Sequence, residues 1–290
     1  MISNQIITIN EGIDEVLGDA SKIIKDYTPI LFYKDFNTNN QLQAWATGVL
    51  VKLKNKYFLF TAAHIIENIL PETIGIMLDD VFQVLGGTVR HTELLDSRGG
   101  KIIDICIWEI EKDVAKNIES KMKFFSLDNF NKDLQTYSGT NYLVWGYPYK
   151  NVKVLPSNPN IKSTPLILLS KLVSDRNYEN IGYDYDKNLV LEYKRHEIRK
   201  SASDKIEQGR KPKGCSGCGI WVIPNLCVEK GKTPPHILAG IMTKYLENED
   251  VIVGTRIHII VEIIRNEFDI PLLASKITNV QISRRDCPNG

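Results

Sequence analysis

Gly48-Val49-Leu50-Val51-Lys52-Leu53 and Tyr57-Phe58-Leu59-Phe60-Thr61, joined by Lys54-Asn55-Lys56, decide how this chain is read. Both runs are rich in β-branched and aromatic residues, and the polar link between them suits a hairpin turn. The first strand is expected over 46–53 and the second over 57–61. Upstream, Ile30-Leu31-Phe32-Tyr33 is a further β-prone run, followed by a polar turn at Asn37-Thr38-Asn39-Asn40. Downstream, strands are expected near 74–78, 81–85, 102–110, 141–146, 165–173, 188–193, 219–223, 236–243 and 251–257. Gly, Pro and Asn separate most of them, and no regular alternation of strand and helix occurs, so the pattern is that of an all-β barrel or sandwich. Two helices flank it. Ile13, Val16, Leu17, Ala20, Ile23 and Ile24 recur at helical spacing behind Asn10, a candidate N-cap, with Pro29 just past the end. Ile259, Ile260, Ile263 and Ile264 mark a closing helix that ends near Asn266, and the tail from Arg284 reads as loose.

Composition narrows the function classes. A chain of 290 residues with 43% hydrophobic and 24% charged residues is ordinary globular protein. The formal net charge is +1, which gives no bulk electrostatic case for nucleic acid or an anionic membrane as partner. No apolar run reaches the roughly 18 residues of a membrane span. Met1-Ile2-Ser3-Asn4-Gln5 lacks the basic start and apolar core of an export signal. The five cysteines, Cys106, Cys215, Cys218, Cys227 and Cys287, are irregularly spaced, so reduced thiols in a cytoplasm are expected and a disulfide framework is not.

Three places carry chemistry. His64 follows the strand ending at Thr61. Asp104 is a lone acid in Lys101-Ile102-Ile103-Asp104-Ile105-Cys106-Ile107. Gly214-Cys215-Ser216-Gly217-Cys218-Gly219 sets glycines on both sides of a serine. A serine hydroxyl needs a base to become a nucleophile, and histidine serves near neutral pH when an acid fixes its tautomer. Glycines let the backbone turn so that two N–H groups converge on one oxyanion. A carboxylate among isoleucines needs a partner, and His64 is the candidate. The polar stretch from Tyr193 to Lys213 carries eight basic residues and reads first as a solvated loop. Trp45, Trp108, Trp145 and Trp221 read as core, and His91, His196, His236 and His258 have no metal-ligand spacing.

Taken in the order His64, Asp104, Ser216, these residues resemble the chymotrypsin/trypsin-like serine peptidases. The likeness extends outward. Gly48 to His64 looks like the family's paired strands before its histidine. Val144-Trp145-Gly146-Tyr147-Pro148 is similar to the opening of its second barrel. Leu238-Ala239-Gly240-Ile241-Met242-Thr243 looks like the strand after its serine, and Thr255-Arg256-Ile257 like its closing strand and helix. The resemblance implies two six-stranded antiparallel β-barrels. It also implies a helical extension at 1–28 and a peptidase domain at 29–268, with barrels over 29–130 and 138–258 and a closing helix over 258–268, leaving a tail at 269–290. It implies Ser216 as nucleophile, His64 as base and then acid, Asp104 orienting His64, and the N–H groups of Gly214 and Ser216 as oxyanion hole. Thr243 matches a position whose hydroxyl supports the buried acid. No cofactor or metal is implied; the partner is a protein or peptide substrate, in the manner of bacterial proteases of regulated stress or defence systems. The N-terminal helix is a candidate docking element for a regulatory protein.

Two departures stand out. Cys215 replaces the acid that pairs with a freed N-terminus in secreted members, so activation by that cleavage is not expected. Cys218 places a side chain where the family has glycine. Cys215 as nucleophile would need a glycine two residues earlier, where Lys213 stands, whereas Ser216 has Gly214. The order His, Asp, Ser runs opposite to that of the α/β-hydrolases. A catalytically silent domain of this type, acting as a peptide-binding or scaffold module, is the second reading. The substrate pocket is expected between the strand through Met242, Thr243 and Lys244 and the strand preceding Thr255, narrowed by Ile252. The segment Gln208-Gly209-Arg210-Lys211 before Gly214 offers no acid to pair a substrate Arg or Lys. Small or medium apolar residues are the expected preference, with acidic residues the alternative if Arg210 turns inward.

Overall fold

The computed structural model describes residues 6–7, 13–35, 41–67, 69–92, 103–127, 141–154, 161–174, 178, 180–194, 198–199, 206–207, 211–223, 228–229, 236–270 and 282–287. Asn10, the Asn37–Asn40 turn, His196, Gln208-Gly209-Arg210 and Cys227 lie outside them. Helix α1 (Ile13–Tyr27) is followed by strands β1 (Ile30–Asp35), β2 (Gln41–Thr47), β3 (Val49–Leu53) and β4 (Lys56–Thr61). Next come β5 (Ile74–Leu78), β6 (Val81–Val84), β7 (Gly87–Thr92), β8 (Cys106–Glu109), α2 (Lys112–Glu119) and β9 (Phe125–Ser126). The second half holds β10 (Asn141–Gly146), β11 (Leu166–Ser170), β12 (Asn188–Glu192), β13 (Gly219–Ile223), β14 (Ile237–Leu246), β15 (Val251–Arg256), α3 (Ile257–Glu267) and β16 (Ile282–Cys287).

Three larger sheets result. One runs β9-β3-β4-β8-β7-β16, the second β11-β10-β13-β14-β15-β12, and the third β2-β1-β5-β6. Pairing is antiparallel, except that β9 lies parallel to β3. The protein is therefore mostly β, with helices at its margins. The single strand expected over 46–53 is broken at Gly48, so β2 and β3 enter different sheets. A Cβ at Gly48 would lie 2.5 Å from Leu59 Cδ1, so a side chain there would require Leu59 to shift.

Sequence reading missed β7 and α2. It placed Asp104 inside a strand, whereas β8 begins two residues later. The tail read as loose is corrected as well: β16 pairs with β7 from Ile282↔Thr92 to Cys287↔Gly87. Two arginines and an aspartate in Arg284-Arg285-Asp286 hide this strand from a hydrophobic pattern, because Arg284 and Arg285 are exposed.

Period-2 alternation explains why the strands look continuously apolar. On β3 and β4, Val49, Val51, Leu53, Phe58 and Phe60 belong to one core cluster, while Leu50 and Leu59 belong to another. Across the second sheet, Leu143, Trp145 and Trp221 join the first cluster, while Val144, Ile220 and Val222 form a third. Each sheet thus buries both faces. The shared cluster also takes Ala20 and Ile24 from α1 and Ile257, Ile260 and Ile264 from α3, which joins the two halves. Tyr27, at the end of α1, lies 5.6 Å from the Phe125 ring and 6.2 Å from Trp221. Trp108, Trp145 and Trp221 are buried as expected; Trp45 is not, at 40% exposure.

Candidate active site

The register of β4 and β8 brings His64 and Asp104 together. Phe60 pairs with Ile107 and Thr61 with Cys106, so the residues just past Thr61 run beside those just before Cys106. His64 sits in a short 3-10 turn, Ala63–Ile65. Its ring Nδ1 lies 2.7 Å from Asp104 Oδ2, and its backbone N–H donates to Asp104 Oδ1 at 3.1 Å. An ionised carboxylate only accepts, so Nδ1 carries the proton and Nε2 is the free nitrogen. One carboxylate thereby fixes both ring and main chain of the histidine. The imidazole is 36% exposed and the carboxylate 13%, which leaves the ring open and its partner enclosed. Trp45 Nε1 donates to the Ile65 carbonyl at 3.1 Å and braces the same turn.

Ser216 is held by a turn over 212–218. The Cys215 N–H donates to Pro212 O at 3.0 Å and the Cys218 N–H to Cys215 O at 2.9 Å. Gly214 and Gly217 have φ of 95° and 89°, the left-handed region that side chains rarely adopt. The Gly217 N–H donates to Met242 O at 2.7 Å, tying the turn to β14. Thr47 ties it to the other half of the molecule: its N–H donates to Ser216 O at 3.0 Å and its Oγ1 to Gly214 O at 3.0 Å. The same Oγ1 accepts from the Tyr147 N–H at 3.1 Å, and Thr61 Oγ1 donates to Thr47 O at 2.9 Å. Sequence reading missed Thr47; a threonine inside a β-prone run carries no signal of such a role. Among the described residues, neither the Gly214 nor the Ser216 N–H donates to a protein acceptor.

Ser216 and His64 border one cavity of about 390 Å³, together with Asp104, Tyr183, Met242 and Thr243. Ser216 Oγ donates to the Thr243 carbonyl at 3.3 Å rather than to His64. Thr243 Oγ1 donates to Val253 O at 3.3 Å, so the expected support of Asp104 by this hydroxyl is corrected. The register slip between Met242 and Lys244 sets Thr243 against β15 instead. The backbone of Asp104 is bound from the second half by Thr255 Oγ1, at 3.3 Å from its carbonyl. Met242, Thr243 and Lys244 line the cavity, but Ile252 does not. Ile252 is fully buried in the cluster holding Cys215, Cys218, Ile220 and Met242. Arg210 lies outside the described residues; Lys211 of the same segment borders the cavity, as do Lys213, Tyr245 and Glu247, which were not assigned to the pocket. Burial first, then the charges of Asp104 and Glu249, push the Tyr183 phenol up, so it is neutral at ordinary pH.

Both cysteines of the turn are free and fully buried. Burial pushes the Cys215 and Cys218 thiols well up, which keeps them protonated and removes the thiolate that nucleophilic or metal chemistry needs. The Cys218 side chain fits because Gly146 has none: a Cβ there would lie 2.6 Å from Cys218 Cβ. Among the described residues, no group of three or more His, Cys, Asp or Glu could hold a metal ion. No helix among them is long and apolar enough to cross a membrane.

No protein-family model matches the chain, and no curated protein matches it.

Proposed function

We propose that this protein is a serine endopeptidase of trypsin-like type, with the two six-stranded sheets forming its two barrels and the cavity between the halves as its active site. The observation that carries the reading is the double hold of Asp104 on His64 beside a serine whose own N–H, like that of Gly214, is unengaged among the described residues. Ser216 Oγ attacks the scissile carbonyl carbon and its proton passes to His64 Nε2. Asp104 keeps the proton on Nδ1 and stabilises the imidazolium. The N–H groups of Gly214 and Ser216 receive the oxyanion. His64 then protonates the leaving amine, and water repeats the sequence on the acyl-enzyme. No cofactor takes part. The substrate is a protein or peptide, the setting the cytoplasm, and α1 the docking site of a regulatory partner.

A fluorophosphonate probe tests the reading. Ser216 is labelled in the wild type, and labelling is lost in Ser216→Ala and His64→Ala alike, since members of a triad act as a unit. Absence of labelling in the folded wild type favours the second reading, a catalytically silent peptide-binding domain. That reading draws on the hydrogen bond of Ser216 Oγ to the Thr243 carbonyl, which must break before His64 can take the proton.

A further inference from the structure

The charges around the cavity do not balance. Lys211, Lys213 and Lys244 stand in its wall with Asp104 and Glu247. Asp104 is engaged by His64, and Glu247 by Lys211 at 2.6 Å. Lys213 and Lys244 are exposed, and neither has an ionic partner among the described residues. Both have anchored backbones. The Lys213 carbonyl accepts from the Tyr149 N–H at 2.9 Å, and Lys244 follows Thr243, whose carbonyl accepts from Ser216 Oγ. Two lysines therefore border the cavity, one on the serine turn and one on β14, with no ionic partner among the described residues.

We propose that the cavity receives an Asp or Glu side chain of a bound peptide, close to the bond that Ser216 attacks, and that Lys213 and Lys244 pair with its carboxylate. The proposal rests on the peptidase reading and names the substrate class of that site. An acidic side chain gains two charge-assisted partners there, while Lys or Arg meets two like charges. Neutral small side chains gain neither, so the proposal favours the acidic alternative over the apolar preference expected from the sequence, through Lys213 and Lys244 rather than Arg210.

Binding separates this inference from catalysis. Full-length Ser216→Ala protein is titrated with short fluorescent peptides in which each position is in turn Glu, Gln or Lys. At one position Glu is expected to bind about ten-fold tighter than Gln, and Lys weaker than Gln. The Glu:Gln ratio is expected to fall toward one in Lys213→Gln/Lys244→Gln on the Ser216→Ala background. If that variant fails to fold, salt decides: the Glu advantage must shrink severalfold as ionic strength rises, because exposed lysines are screened. Equal binding of Glu and Gln peptides, preference for Lys, no binding of any Glu peptide, or a salt-independent advantage overturns the proposal. Discrimination by Ser216→Ala with an unlabelled, inactive wild type removes the peptidase reading alone. Hydrolysis by the wild type without discrimination removes this inference alone.

Discussion

Thr47 and Ser216 are joined across the two halves of the molecule by a backbone hydrogen bond of 3.0 Å, from the Thr47 N–H to the Ser216 carbonyl. Thr47 Oγ1 adds a bond to Gly214 O and accepts from the Tyr147 N–H, so one buried threonine positions the turn that presents Ser216. Thr47→Val keeps the backbone bond and removes both side-chain bonds. Stability is expected to fall by about 1–3 kcal/mol, the range for stranding buried polar groups. The fluorophosphonate labelling rate is expected to fall with it. Urea unfolding and labelling kinetics check this, and a full stability loss with wild-type labelling would show that the turn holds without Thr47.

Asp104→Asn tests the clamp on His64. An amide offers one acceptor oxygen where the carboxylate offers two, so the backbone bond and the Nδ1 bond cannot both survive. The amide NH2 also favours the tautomer with the proton on Nε2, which cannot take one from Ser216. Hydrolysis is expected to drop by about 10⁴-fold with near wild-type unfolding. Activity within tenfold of wild type would remove Asp104 from its role.

Three glycines give opposite outcomes for the same substitution. In Gly217→Ala the new Cβ lies 2.0 Å from both Thr47 O and Thr61 Oγ1, at φ of 89°. In Gly214→Ala it lies 2.4 Å from the Tyr149 N at φ of 95°. Each is expected to lose more than about 2 kcal/mol from strain and clash, and labelling with it. Gly18→Ala, in α1 with nothing within 4 Å of its Cβ, is expected to gain about 0.5–1 kcal/mol. Thermal unfolding of the three variants reads out the order.

Alkaline pH weakens the fold through the buried thiols. Folding raises the pKa of Cys215 and Cys218, chiefly by desolvation, above the ordinary value of 9.0. Above that pH the unfolded chain releases thiol protons that the folded chain retains, so stability falls as pH rises. Below it the contribution is fully present. Tyr178, pushed up to about 12 from 10.0 by burial, extends the fall above pH 10. The urea midpoint is expected to decline from about pH 9 upward, and Cys215→Ala/Cys218→Ala should flatten the first part of that decline.

Thiol reagents give an independent reading of the same burial. Because both side chains are fully enclosed, disulfide reagents are expected to modify Cys215 and Cys218 only as fast as the protein opens. Mass spectrometry after brief exposure, with and without urea, locates the adducts. Rapid modification of either cysteine in the native protein would contradict the packing of Cys218 against Gly146 and Met242.

Much of the site was legible in the linear order. The apolar strand ending before His64, the acid among isoleucines and the serine between glycines each carry a local signature, because the turn around Ser216 needs positive φ at Gly214 and Gly217 and a buried acid needs a partner. The helices at 13–27 and 257–267 and the strands at 74–78, 141–146 and 219–223 were readable from periodicity. Besides β7 and α2, three features escaped it. β16 is too charged for a hydrophobic pattern, and its pairing with β7 is a contact between distant segments. Thr47 looks like any strand threonine until the two halves meet. Thr243 was assigned to Asp104 by position, but the slipped register of β14 turns its hydroxyl to Val253.

The chain on its own determined that the fold is mainly β, that glycines bracket Ser216 and that thiols flank it, because these follow from side-chain shape and backbone freedom within a few residues. Tertiary structure alone decided which groups share the cavity. Lys213 and Lys244 are separated by a long stretch of sequence and border one cavity because the Gly217 N–H and the Met242 carbonyl lock the serine turn onto β14. A charge imbalance is a property of neighbours in space, and those neighbours were set by strand register rather than by order along the chain.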